Sequence, residues 1–98
     1  MTAVDIRGLR EHVGEAVTVR GWVTTTRSSG KIAFVVVRDG SGYVQGVLSK
    51  KEVPESTWSA FGSLTQEASV AMTGQVREES RSPGGYELAV QALEVLGA

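Results

Sequence analysis

The sequence contains no cysteine, a single histidine (His12) and only two prolines. The lack of cysteine excludes a disulfide framework and a thiolate metal site, and one histidine argues against a zinc site built from imidazoles. The longest uninterrupted apolar run, residues 32–37, has six residues, whereas a membrane-spanning helix needs about 20. The N-terminus has no basic flank followed by an apolar stretch, as a signal peptide would. We therefore expect a cytoplasmic protein without membrane contact.

Catalytic motifs are also missing. There is no Walker loop and no pair of carboxylates backed by a histidine. Residues 28–30 (Ser-Ser-Gly) look like a phosphate-binding loop, but no helix begins after them, so the signal is weak. We expect no catalytic residue, no bound metal and no cofactor, and therefore no enzyme activity from this chain alone.

Charge is distributed unevenly along the 98 residues, although the net charge is only −1. Residues 1–51 hold eight Lys or Arg and four Asp or Glu, whereas residues 52–98 hold two and seven. Such an asymmetry gives a neutral protein one positive face for a polyanion, or it only reflects two differently solvated surfaces. The length predicts a single domain over residues 1–98.

Residues 17–49 predict three consecutive antiparallel strands. The first alternates Val17, Val19 and Val23 with polar residues and Trp22, and Gly21 indicates a bend. We expect Trp22 to pack under the N-terminal segment, with base stacking as the alternative. A tight loop at 28–30 and an Asp-Gly-Ser-Gly turn at 39–42 separate the strands.

The remaining elements complete a barrel pattern. Residues 4–14 predict a short helical cap with Asp5 as N-cap, and a helix begins at Pro54 with an apolar stripe of Trp58, Phe61 and Leu64. Two more strands follow at 68–78 and 86–96. An all-β, five-stranded Greek-key barrel with a helix between strands 3 and 4 is the OB-fold, whereas an SH3-like barrel lacks that helix.

The second strand carries an aromatic residue on the face opposite its core residues. If Val35 and Val37 face the core, Phe34 faces outward. Oligonucleotides bind OB-folds across the second and third strands, and stacking a base on an aromatic ring is worth about 1–3 kcal/mol. The alternative is a small hydrophobic patch that Phe34 forms with Ile32 and Val36.

Four further residues are expected on or beside this face. Gln45 has both a donor and an acceptor, which match the N–H and carbonyl of a uridine. Arg27 and Lys31 flank the loop before the Phe34 strand and are candidates for phosphate contacts. Glu87, early in the last strand, is a lone carboxylate that could accept from a base. Each residue alone is ambiguous, but together they favour single-stranded RNA or DNA.

The run GWVTTTRSSGKIAFVVVRDGSGYVQGVL resembles the N-terminal anticodon-binding domain of the class II aspartyl-, asparaginyl- and lysyl-tRNA synthetases. The shared pattern is Gly-Trp-Val, an Arg five residues after the Trp, Gly-Lys, a Phe, Arg-Asp-x-x-Gly and a Gln. The resemblance extends over essentially the whole chain, including HVGE and the PGGYELAV ending, which is more similar to bacterial asparaginyl-tRNA synthetase than to the aspartyl enzyme. The aspartyl enzyme stays open as the parent, because the asparagine and aspartate tRNAs share the central anticodon uridine.

The resemblance implies roles for the same residues. In that family the aromatic at Phe34 stacks on the central anticodon uridine, and the glutamine at Gln45 reads that base. Arg27 corresponds to the arginine at the mouth of the first loop, and Glu87 to a glutamate associated with an outer anticodon base. The implied partner is a tRNA anticodon loop, and the implied parent is a homodimeric ligase whose catalytic domain this chain lacks.

The chain also departs from the family pattern at residues 24–26, where three threonines replace arginines of many relatives, so phosphate affinity is expected to be lower. Two alternatives stay open beside anticodon recognition. One is a general single-strand-binding OB module, which would bind regardless of the central base. The other is an OB scaffold used for protein interaction, which would show no salt-dependent affinity for RNA. As an isolated domain the chain is expected to be a monomer.

Overall fold

A computed structural model describes residues 2–97 of the chain. Its strands are β1 (Thr2–Ala3), β2 (Ala16–Ser29), β3 (Ile32–Arg38), β4 (Tyr43–Ser49), β5 (Ser69–Glu78) and β6 (Tyr86–Gly97). The α-helix α1 (Glu55–Gly62) lies between β4 and β5, and 3-10 helices span Ile6–Glu11 and Pro83–Gly85. The two-residue β1, which pairs in parallel with the start of β2, was not predicted.

The long strand β2 closes the barrel because it pairs with two different neighbours. Its first half pairs with β5 and its second half with β3, and the change of partner occurs at Gly21 and Trp22. A Cβ atom on Gly21 would lie 2.1 Å from the carbonyl oxygen of Arg38, so only glycine allows the two strands this close. A β-bulge between Val23 and Thr25 completes the bend.

The remaining pairings give the Greek-key order. β2, β3 and β4 form an antiparallel meander, β4 pairs in parallel with β6, and β6 pairs antiparallel with β5. Five strands thus form a closed ring in the order β2-β3-β4-β6-β5, with β1 added outside it. The predicted five-stranded OB barrel with a helix between its third and fourth strands is confirmed.

The barrel interior is filled mainly by valines from alternate positions of the strands, as the alternation predicts. In β3, Ala33, Val35 and Val37 are completely buried, while Ile32, Phe34 and Val36 lie half-buried on the outer face. The other strand residues without solvent exposure are Val17, Val19, Val44, Leu48, Val70, Met72, Val76 and Leu88. The apolar outer face of β3 is therefore a surface feature rather than a second core.

Two helical segments close the ends of the barrel. Trp58 and Phe61 of α1 have ring centroids 6.1 Å apart and pack against the core. α1 ends at Gly62, so Leu64 joins this cluster from the following turn rather than from the helix.

The N-terminal cap is a 3-10 helix that buries Ile6 and Leu9. Asp5 occupies the N-cap position but makes no side-chain cap hydrogen bond, contrary to expectation. Instead the Ile6 N–H donates to the Asp39 carboxylate at 2.8 Å, which ties this helix to the β3–β4 turn.

Trp22 differs from the sequence-based expectation. It lies at the bend of β2 with 43% of its surface exposed, and the Arg38 guanidinium carbon lies 5.1 Å from its ring centroid. Arg38 also pairs with Glu67 at 3.2 Å. The bend in β2 directs the Trp22 indole out of the barrel. There the Arg38 guanidinium, rather than the N-terminal segment, lies against the ring.

Within residues 2–97, no helix has the length and apolar character needed to cross a membrane.

Candidate nucleic-acid interface

A groove of about 510 Å³ crosses the outer face of β3 and β4 beside the β5–β6 loop. We call it the β3–β4 groove. It brings together four of the five residues singled out from the sequence, from four different strands. Its lining residues are Arg27, Phe34, Gln45, Val47, Glu79, Arg81, Ser82 and Glu87.

Phe34 presents an aromatic ring to this groove, and the ring is in contact with the guanidinium group of Arg27. Its cross-strand partner in β2 is Arg27, whose guanidinium carbon lies 3.9 Å from the ring centroid. That distance is within cation–π range. Arg27 is exposed while Phe34 is half-buried, so the guanidinium lies over the ring and presents positive charge to solvent.

Gln45 is oriented by a chain of hydrogen bonds from the neighbouring strands. Its Nε2 donates to Ser82 Oγ at 3.4 Å, and Ser82 Oγ donates to Glu87 Oε1 at 3.3 Å. The other carboxylate oxygen of Glu87 accepts from Arg77 Nη2. Among residues 2–97, Gln45 Oε1 accepts no hydrogen bond in the free domain. Gln45 therefore has an acceptor and a second amide hydrogen available for a base.

Glu87 is not the lone carboxylate that the sequence suggested. It is buried, with Arg77 and Ser82 on its two oxygens. The parallel pairing of β4 with β6 aligns Glu87 with Gln45. Its charge is thus largely satisfied inside the protein, and it supports Gln45 as well as bordering the groove.

The β5–β6 loop forms the wall of the groove through a second ion pair. Arg81 Nε lies 3.0 Å from Glu79 Oε1, and this pairing keeps the pKa of Glu79 below its ordinary value. Gly84 and Gly85 both have positive φ angles, which L side chains rarely adopt. The two glycines let the loop turn back onto β4 and place Ser82 in a buried position.

Lys31 is the sequence-predicted site residue that lies apart. It is exposed at the β2–β3 turn, where its carbonyl oxygen accepts from the Lys50 N–H at 2.9 Å, and it does not line the groove. Thr24, at the first of the three positions that depart from the family pattern, donates from Oγ1 to the Val36 carbonyl at 3.2 Å. These residues therefore add no side chain to the groove.

Sequence reasoning missed Arg77, Glu79, Arg81 and Ser82. Arg77 was detectable in principle, because β5 and β6 form a hairpin whose register pairs Arg77 with Glu87. The loop residues carried no usable signal, because their positions depend on the conformation of the two following glycines.

The groove combines an aromatic face, an oriented amide and exposed guanidinium groups. These groups are suited to base stacking, base-edge hydrogen bonds and phosphate contacts. In the described part of the chain, no cluster of three His, Cys, Asp or Glu residues has a geometry that could hold a metal ion.

The chain is similar to nucleic acid binding domains and to asparagine–tRNA ligases. Residues 17–96 match the tRNA anticodon family, described as an OB-fold nucleic acid binding domain. The asparagine–tRNA ligases of Desulforamulus reducens and Pelotomaculum thermopropionicum are 55% and 48% identical to the chain over 96 residues, or 98% of it. The crystal structure of asparaginyl-tRNA synthetase from Pyrococcus horikoshii complexed with asparaginyl-adenylate has a TM-score of 0.88 and 38% identity over 97% of the chain.

In all three cases the chain spans only 22% of the length of the relative. The matched stretch is the anticodon-binding domain of these ligases. The resemblance to the anticodon-binding domain is confirmed, and the chain belongs to the tRNA anticodon family of OB-fold nucleic acid binding domains.

Proposed function

We propose that the chain recognises the anticodon loop of an asparagine tRNA as one domain of an asparaginyl-tRNA synthetase. The relatives support this proposal because they are asparagine–tRNA ligases whose sequences are about 50% identical to nearly the whole chain. The geometry supports it because the outer face of β3 and β4 offers groups suited to an unpaired base.

The observation that carries the proposal is the shared groove of Phe34 and Gln45. The two residues lie on adjacent strands, on the same outer face, and both line the β3–β4 groove. The central anticodon uridine stacks on the Phe34 ring, and its N3–H donates to Gln45 Oε1 while Gln45 Nε2 donates to a uridine carbonyl. Ser82 and Glu87 hold the amide in the orientation that this pattern requires.

The remaining predicted residues act around this central contact. Arg27 contributes positive charge next to the stacked base, and Lys31 attracts the backbone from the β2–β3 turn, outside the groove. Glu87 borders the position of an outer anticodon base and accepts from its amino or N–H group. Arg77 and Ser82 each donate to one carboxylate oxygen of Glu87. The contact between Glu87 and the base therefore uses the remaining lone pairs of these two oxygens.

We also propose the wider context of the domain. The protein acts in the cytoplasm, where tRNA serves protein synthesis. The isolated chain is a monomer, and the parent enzyme is a homodimer formed mainly through its catalytic domain. Sedimentation of the isolated domain and of a chain extended to full synthetase length tests this assignment. A dimer of the isolated domain would contradict it.

Binding of anticodon stem-loop RNA at several salt concentrations tests the main proposal. The asparagine stem-loop is compared with a copy whose central uridine is replaced by cytidine, and both are measured with Phe34→Ala. We expect Phe34→Ala to lower the affinity by a factor of about 5 to 150, which corresponds to the worth of one stacked base. The cytidine copy still stacks, so its loss of affinity is expected to come from mismatched hydrogen bonds to Gln45, worth about 1–3 kcal/mol.

The matched control is Val47→Ala, which removes an apolar side chain from the same groove without removing an aromatic ring. It is expected to bind within a few-fold of the unchanged chain. Equal binding of all loops by all variants would mean that the chain is a general single-strand-binding module without preference for the central base. The absence of any salt-dependent binding would favour a protein-interaction scaffold and would contradict the proposal.

A further inference from the structure

A second groove lies beside the β3–β4 groove, and we infer that it binds a nucleotide that flanks the anticodon triplet. This inference rests on the proposed function, because it extends the path of the same RNA. The second groove has a volume of about 510 Å³ and lies between the N-terminal 3-10 helix, the β3–β4 turn and the β5–β6 loop. The lining residues that matter here are Arg7, Arg10, Tyr43, Pro83, Gly84 and Tyr86.

Tyr43 supplies an exposed aromatic surface in this groove. It is 53% exposed, the most exposed large apolar residue in the described part of the chain. A tyrosine ring that is largely in water offers a face on which any base can stack, because every base has a π surface. Tyr86, half-buried, lies in the same groove and gives it a second aromatic wall.

Arg7 and Arg10 supply positive charge at the rim. Both side chains are exposed on the 3-10 helix, and within residues 2–97 neither guanidinium forms an ion pair. The Asp39 carboxylate, next to Arg7, is engaged by the Ile6 N–H and by Ser41 at 2.7–2.8 Å. Asp5 and Glu11 lie on the same segment as the two arginines, but within residues 2–97 neither carboxylate forms an ion pair with them. The two arginines are therefore available to a phosphate, the principal source of affinity for a nucleic acid backbone.

The floor of the second groove is rigid. Asp39 links the 3-10 helix to the β3–β4 turn, and the Arg7 N–H donates to Ser41 Oγ at 3.1 Å. The backbone that carries Arg7 and Tyr43 is thus held in place before any ligand arrives, which lowers the entropic cost of binding.

The two grooves are continuous through shared elements. Tyr43 and Gln45 are alternate residues of β4 on the same face, which places them about 7 Å apart along the strand. The loop residue Ser82 lines one groove, and its neighbours Pro83 and Gly84 line the other. Phe34 lies opposite Val47, four residues or about 13 Å along β4 from Tyr43. A single strand whose central base lies on Phe34 therefore reaches Tyr43 with the nucleotide two positions away, which flanks the triplet.

The test uses the asparagine anticodon stem-loop with 2-aminopurine placed on either side of the triplet. Stacking on Tyr43 is expected to change the 2-aminopurine fluorescence at one of the two positions, and Tyr43→Ala is expected to abolish that change. Tyr43→Ala should weaken binding about 5- to 150-fold, and Tyr43→Phe should restore it.

The double variant Arg7→Ala/Arg10→Ala is expected to reduce the slope of log K against log salt by about 1.4, or 0.7 for each lost phosphate contact. Arg20→Ala/Lys51→Ala is the matched control, since it removes the same charge from exposed residues outside both grooves. It should leave the slope within half a unit of the unchanged chain. Thermal unfolding of each variant establishes that it is folded.

Three outcomes distinguish this inference from the proposed function. If Phe34→Ala weakens binding while the Tyr43 and double arginine variants match the unchanged chain, the second groove is not used and only this inference is wrong. If Tyr43→Ala weakens binding while Phe34→Ala does not, the central-base proposal is wrong. If no variant changes binding, both are wrong.

Discussion

The guanidinium of Arg27 lies on the ring of Phe34, its cross-strand partner, with 3.9 Å between the guanidinium carbon and the ring centroid. Strand pairing between β2 and β3, rather than a flexible loop, keeps the cation and the aromatic ring together. A base that stacks on Phe34 is therefore placed beside a positive charge that is already in position.

Replacing Arg27 with alanine should weaken RNA binding. It should also reduce the slope of log K against log salt concentration (the salt slope) by about 0.7, the value for one lost phosphate contact to a single strand. Arg27→Lys should keep the slope but not the full affinity, because an ammonium does not stack on the ring as a guanidinium does. Titrations of stem-loop RNA at four salt concentrations measure both quantities. An unchanged slope in Arg27→Ala would show that Arg27 supports Phe34 without meeting the backbone.

Gln45→Glu should change base preference rather than simply reduce affinity. A carboxylate only accepts hydrogen bonds, so it loses the donor to the uridine carbonyl while remaining a partner for the amino group of cytidine. We expect the ratio of uridine to cytidine affinity at the central position to fall at least tenfold. Competition binding of the two stem-loops gives this ratio. A uniform loss for both loops would mean that Gln45 does not read the base edge.

Glu87→Gln should destabilise the domain by about 1–3 kcal/mol, because it removes one half of a charge-assisted hydrogen bond at a buried position. Glu94→Gln, at an exposed position of the same strand, is the control and should change the free energy of unfolding by less than about 0.5 kcal/mol. Urea unfolding compares the two variants. Equal effects would show that the Arg77–Glu87 pair adds nothing beyond an ordinary surface charge.

Acid should destabilise the domain partly through Asp39. Burial acts to raise its pKa, but hydrogen bonds from the Ser41 hydroxyl and from the backbone N–H groups of Ile6, Ser41 and Gly42 outweigh burial and lower the pKa below 3.8. The stabilisation is therefore complete above the unfolded-state pKa and is lost as the pH falls through the lower folded-state value. Asp39→Asn should be less stable at neutral pH and should lose less stability between about pH 5 and pH 2. Urea unfolding at stepped pH values measures the difference, and parallel curves would contradict it.

Gly46→Ala should destabilise the barrel by about 1–3 kcal/mol through overpacking. A Cβ atom at Gly46 would lie 2.4 Å from Met72 Sδ and 2.8 Å from Val90 Cγ2, in the interior behind Gln45. Gly8→Ala is the control, because no atom lies within 4 Å of its added Cβ and its φ angle is not positive. It should leave the melting temperature unchanged or slightly higher. A similar melting temperature for both variants would show that Met72 moves aside without cost.

The sequence predicted those parts of the fold that depend on alternation and turn chemistry. Val35 and Val37 face the core and Phe34 faces outward because side chains of a strand alternate between its faces. The Gly21 bend was predicted because a glycine inside an alternating strand indicates close backbone approach.

What depends on contacts between distant segments could not be predicted. The Asp39 carboxylate accepts from the Ile6 N–H across more than 30 residues, whereas the local pattern predicted that the side chain of the N-cap residue Asp5 would cap this helix. The surroundings of Glu87 depend on the β5–β6 loop, whose path is set by two glycines with positive φ angles. Local pattern holds no information about either arrangement.

The parallel pairing of β4 with β6 has a consequence for when the domain acquires its function. Gln45 is oriented by Ser82 and Glu87, which follow it in the chain only after the helix and a whole further strand. A chain that has formed only the first three long strands presents Phe34 but not the support for Gln45. Under the proposed function, selective recognition of a base requires the finished barrel, and RNA bound in this way would stabilise the complete ring rather than any one hairpin.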